Sequence, residues 1–245
     1  GVVGFFTMLV MGVSYKLVPM FTLGDIQSRQ RAVASVVLLN VGLLGSAISI
    51  LLRSPWKFAF ALVIVIALAV YGWELAAIVR TRKRATLDWG VRSFLTALVM
   101  LAPLSLLATV LSWPGLALNE FTGQLENLYG FLGLIGFVTF AIVGMLHKII
   151  PFLVWFHSYS PHVGRAQVPA LADLYSEWLQ VVGFWTWQTG LAVVSAGIVL
   201  QNGVAVRSGA ILLAASLALF AVNVGKMLSH VFRPVLKPFP SPVKK

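Results

Sequence analysis

Few side chains in this sequence can do chemistry. Among 245 residues there are four histidines, seven acidic residues and no cysteine. The lack of Cys removes disulfides, zinc–thiolate sites and iron–sulfur clusters. His147 and His230 lie in apolar stretches and are the candidate pair for a metal or a haem. For His147 the simpler reading is an interhelical hydrogen bond near a membrane interface. His157 and His162 are separated by Pro161, which prevents one helix face from carrying both, so they read as loop residues. Glu74 precedes the run Arg80, Arg82, Lys83, Arg84 by two turns. It suits a proton path, a pair with a lysine, or a carboxylate that reaches the interface. Asp173 and Glu177 come just before Trp178, where acidic side chains favour the start of a helix. Lys16 and Lys148 each lie within a turn of a proline. Each either snorkels to the headgroups or is a buried cation paired with a propionate or a carboxylate. No nucleophile triad, phosphate loop or metal–carboxylate motif is present. No further ligand-type residues flank His147 or His230 at useful spacing, so a tight metal site is not expected.

The elements that hold these residues are membrane helices. Hydrophobic residues make up 59% of the chain and charged residues 10%, too little charge to cover a soluble domain. Apolar runs fall near 1–22, 33–52, 57–79, 93–113, 129–157, 179–200 and 208–232. Each is long enough to cross about 30 Å of hydrocarbon, and none alternates as a barrel strand does. The expected fold is an all-α, polytopic transmembrane bundle of about seven helices spanning 1–233. A Pro/Lys-rich tail over 234–245, with Pro234, Pro238, Pro240 and Pro242, is expected to be extended. The chain opens at Gly1 inside an apolar run, with no charged n-region and no cleavage pattern, and reads as lacking an N-terminal part rather than as carrying a signal peptide.

The net charge of +11 suggests cytoplasmic loops here rather than nucleic acid. Alternate loops gather Arg29, Arg31, Arg80, Arg82, Lys83, Arg84, Arg92, Arg165, Arg233, Lys237, Lys244 and Lys245 on one side. The other side has Arg53, Lys57 and Arg207. The positive-inside rule makes the first side, and with it the C-terminus, cytoplasmic. Trp56, Trp89, Trp113, Trp155 and Trp178 near the span ends suit interfacial belts.

The first and fifth spans repeat each other. Gly4, Phe5, Thr7, Gly12, Lys16 and Pro19 recur as Gly136, Phe137, Thr139, Gly144, Lys148 and Pro151, all offset by 132 residues. Matched Lys and Pro at one spacing argue for duplication, with repeat units starting at 1 and about 129. Equivalence of spans one and five makes the unit four helices and the repeat parallel, unlike the inverted repeats of many transporters. The glycines, eight residues apart, let a neighbouring helix or a flat ligand approach closely.

The stretch Tyr129–Leu153, YGFLGLIGFVTFAIVGMLHKIIPFL, resembles the tenth helix of haem-copper oxidase subunit I, and the C-type oxidases most. Gly133, Gly136, Gly144, Ile150 and Pro151 carry the likeness. The resemblance implies twelve helices in three arcs of four, of which these seven would be the sixth to the twelfth. It also implies a bacterial inner-membrane, respiratory setting with other membrane subunits as partners. In that family the outer end of the tenth helix bears two histidines, axial ligands of two haems. The matching positions here are Tyr129 and Phe131. The helix over 33–52, which would carry copper-binding histidines, has none. The resemblance therefore implies a non-oxidase member without a copper site. Its role would be haem binding, electron transfer or nitric-oxide response, with haem ligands outside these residues. Phe131 is expected to fill space a haem would need, and Tyr129 to keep its hydroxyl near the outer interface. The competing reading is a cofactor-free channel, transporter or structural subunit.

Overall fold

The computed structural model describes residues 2–83, 85–164, 166–234 and 236. Arg84, Arg165, Lys237, Lys244 and Lys245, counted above as basic loop residues, lie outside them, as does nearly all of the expected extended tail.

Seven membrane-length apolar spans make up the described chain, so it is a multi-pass integral membrane protein with an all-α fold. A π-helical segment, Val2–Phe6, leads into α1 (Thr7–Thr22). Next come α2 (Arg29–Leu51) and α3 (Lys57–Arg80). The fourth span is broken into α4 (Trp89–Val99) and α5 (Leu101–Leu111). Pro103 explains the break, because it cannot donate to the carbonyl of Val99. The fifth span runs through α6 (Glu120–Phe131), a π-helical segment Leu132–Thr139 and α7 (Phe140–Ser158). Two 3-10 turns, Ser160–His162 and Leu171–Leu174, lead to α8 (Glu177–Val199) and α9 (Gly203–Phe232).

Two sequence expectations need correction. The fifth span starts at Glu120, not near Tyr129, because the Asn119 side chain caps its first turn by accepting from the Thr122 N–H at 2.9 Å. His157 is not in a loop but in the last turn of α7. Only His162 sits beyond the helix end.

The fifth span is the centre of the bundle. Over 18 of its most apolar residues 56% are buried, against 17–28% for the other spans. One cluster of buried side chains joins the elements, including Met11 of α1, Leu39 of α2, Tyr71 of α3, Phe94 of α4, Phe137, and Trp187 of α8.

Local features recur at related positions along the two parts of the chain. The π turn Val2–Phe6, moved by 132 residues, falls inside Leu132–Thr139. α2 and α8 have identical lengths and start 148 residues apart. Each is followed by a residue in the left-handed region, Arg53 (φ 49°) and Gln201 (φ 53°). The hairpin contacts also match. A Cβ on Gly42 would lie 3.3 Å from the Phe60 carbonyl oxygen of α3, and one on Gly190 would lie 3.0 Å from the Gly209 carbonyl oxygen of α9. A larger residue at either position would crowd the facing backbone, so glycine suits these approaches.

Candidate functional site

Polar side chains collect at the end of the bundle that carries the Arg80 cluster, called here the basic end. Glu74 of α3 is fully buried. One carboxylate oxygen accepts from the backbone N–H groups of Gln27 (2.6 Å) and Ser28 (2.9 Å), and the other accepts from Arg31 Nε at 2.7 Å. Arg31 also lies over the Trp73 ring. The carboxylate thus ties the α1–α2 link, the start of α2 and α3 together. Among the readings open from sequence, pairing is the one observed, with Arg31 rather than a lysine as partner. Charge-assisted bonds to two backbone N–H groups and a guanidinium engage both oxygens of this carboxylate, so the cluster is a structural clamp. The same junction in the later part of the chain uses Asn223 of α9. Its Oδ1 accepts from the Ser176 N–H at 2.8 Å and its Nδ2 donates to the Ser176 carbonyl at 3.2 Å. Ser28 and Ser176 each immediately precede their helices.

The second focus lies between α4 and α7. The Lys148 ammonium pairs with Asp88, whose other carboxylate oxygen caps α4 by accepting from the Val91 N–H at 3.2 Å. The backbones of the two helices touch just beyond it. A Cβ on Gly144 would lie 2.7 Å from the Phe94 nitrogen and 3.0 Å from the Gly90 carbonyl oxygen. Lys148 is therefore the carboxylate-paired cation of the two alternatives, not a snorkelling one. Lys16 is exposed and makes no ion pair among the described residues. Asp88 went unremarked in the sequence. The signal that marks it is its place as an N-cap before Trp89. Beside it, Asp88, Trp89, Arg92, Glu177 and Gln180 line a cleft of about 290 Å³.

His147 and His230 are held by different partners. His147 is buried, its Nδ1 bonds the Val143 carbonyl at 3.0 Å, and its ring meets Phe220 edge-on. His230 Nδ1 bonds the Tyr159 hydroxyl at 2.7 Å. The interhelical hydrogen bond expected of His147 is not observed among the described residues; its Nδ1 instead bonds a carbonyl one turn back in its own helix. Asp173 accepts from the Ala170 N–H at 2.9 Å and so fixes the turn before α8, and Glu177 opens that helix.

The residues at the haem-ligand positions do not fit a haem. Phe131 has no donor atom, and both Tyr129 and Phe131 pack against the main apolar cluster. A Cβ on Gly136 would already touch Leu191 at 3.4 Å. The space beside His147 is about 10 Å³, near the lower limit for one water molecule. Between α3 and α4–α5 lies a larger, apolar groove of about 500 Å³, lined by residues such as Leu68, Gly72, Leu98 and Ala102. Its lining suits an acyl chain.

Comparison with known protein families, curated proteins and solved structures finds no match to this chain.

Proposed function

We propose that the chain is a diverged, non-oxidase relative of the haem-copper oxidase large subunit, with a haem-associated role in electron transfer or nitric-oxide response. The observation that carries this reading is the four-helix repeat, seen in the sequence at an offset of 132 and echoed by paired π turns, paired hairpins and paired clamps. A parallel repeat of four membrane helices is the plan of that superfamily. In this reading Tyr129 and Phe131 are relics of the ligand pair, and any haem takes its axial ligands from other residues. The basic end is cytoplasmic, and the membrane is a bacterial inner membrane.

A second reading, a cofactor-free channel, transporter or structural subunit, is favoured by one observation. The helix that would present haem ligands is packed tight, with Leu191 over Gly136 and Phe131 against the core. An optical spectrum of the purified full-length protein separates the two. A Soret band that shifts on reduction is expected from the first reading. A colourless protein overturns it in favour of the second.

A further inference from the structure

One face of α1 is open where the matching face of α7 is covered. Phe5, Met8, Leu9 and Val13 are 67, 39, 53 and 39% exposed. Their counterparts 132 residues on, Phe137, Phe140, Ala141 and Met145, are 0, 3, 2 and 9% exposed. Gly12 has no atom within 4 Å of the place a Cβ would take, whereas Gly144 is in backbone contact with Gly90 and Phe94. Lys16 is exposed and unpaired among the described residues, whereas Lys148 meets Asp88. The element that makes these differences at Gly144 and Lys148 is α4. Its Phe94 and Ala97, with Leu101 of α5, share one buried cluster with Phe137, Ala141 and Met145.

An apolar helix face in a membrane ordinarily meets lipid, and lipid asks for nothing at Gly12 or Lys16. Here the repeat says what covers such a face. α4 closes one arc of helices and lies against the first helix of the next. A lysine within a span is costly unless paired or able to reach the interface. A glycine on the same face allows the backbone-to-backbone approach that α4 makes at Gly144.

We propose that the Phe5–Lys16 face of α1 is the docking surface for one more transmembrane helix, built like the start of α4. That helix begins at the basic end with an Asp or Glu that pairs with Lys16. Two positions later it carries a small residue that packs on Gly12, as Asp88 and Gly90 do for Lys148 and Gly144. The order of elements within the repeat assigns it to the same polypeptide, ahead of α1. The proposal rests on the repeat and not on the haem reading, so a colourless protein leaves it intact.

Photo-crosslinking in native membranes tests it. Benzoylphenylalanine is placed at Leu9 of the full-length polypeptide, and at Leu44 as a control. Leu44 is 65% exposed and its counterpart Ala192 is exposed too, so that face is open in both halves of the chain. The expected result is that the Leu9 probe captures a peptide of the same polypeptide, from ahead of α1, with Asp or Glu two residues before Gly, Ala or Ser. The Leu44 probe is expected to capture lipid. Lipid alone at Leu9, a peptide of a separate protein, or a helix without that carboxylate overturns the proposal. Lys16→Met and Gly12→Leu should each lower the Leu9 yield about threefold, the scale of one interhelical contact in a membrane. Unchanged yields in both variants overturn the docking chemistry.

Discussion

Glu74 is the residue whose loss this fold should feel most. A carboxylate with no exposure, bonded to two backbone N–H groups and one guanidinium, holds three segments at once. Removing one partner of a buried pair typically costs about 3 kcal/mol, because the other charge is left stranded. Arg31 is 30% exposed, so part of that cost is relieved by solvent. Glu74→Ala should therefore lower the melting temperature in detergent, followed by circular dichroism, and Glu74→Gln should lower it less because one acceptor oxygen remains. Adding Arg31→Met to Glu74→Gln should cost less than the sum of the two changes. Equal melting of Glu74→Ala and the parent would show that the clamp carries no stability. Glu74 was visible in the sequence as a lone acid in an apolar run, but its partner was not. Spacing reports neighbours on one helix, and Arg31 comes from another. Asp88 stayed hidden for the same reason, although Lys148 stood out through the repeat.

At the scale of elements, the crossing of α4 on α7 is set by glycine. A methyl group at Gly144 would sit 2.7 Å from the Phe94 backbone nitrogen, so one helix must move. Overpacking of this kind costs about 1–3 kcal/mol. Gly225 of α9 has open space around it, and there an alanine removes the entropic cost of glycine in a helix, about 0.5–1 kcal/mol. Gly144→Ala should destabilise and Gly225→Ala should stabilise, both read as thermal unfolding in the same detergent. A stabilising Gly144→Ala would mean the helices do not touch there. The small-residue stripe was legible from its eight-residue spacing. The π segments and the start of the fifth span were not. Leu132–Thr139 is apolar all round, so no periodicity separates a π turn from an α turn. Glu120–Leu128 mixes polar and apolar residues, which hides a helix that Asn119 caps.

At the scale of the molecule, a parallel four-helix repeat constrains sidedness. Equivalent loops separated by four spans must lie on the same face of the membrane. In the proposed repeat the α2–α3 and α8–α9 turns form such a pair, and each has a left-handed residue just after its first helix, Arg53 and Gln201. The loop at Arg80–Thr81 lies one span away from the α2–α3 turn and so faces the other side, and its excess of basic residues is the ground for the cytoplasmic placement proposed above. The chain contains no cysteine, so single cysteines report without background from these residues. A membrane-impermeant maleimide added to intact cells should label Ser54→Cys and Asn202→Cys alike and should spare Thr81→Cys until the membrane is opened. A fluorescent reporter after Lys245 should be active inside the cell, since the last span returns to the side of Thr81. Labelling of Ser54→Cys without Asn202→Cys would mean the two hairpins point in opposite directions. That outcome would replace the parallel repeat by an inverted one and remove the ground for the oxidase-like arrangement and for the docking surface on α1 together.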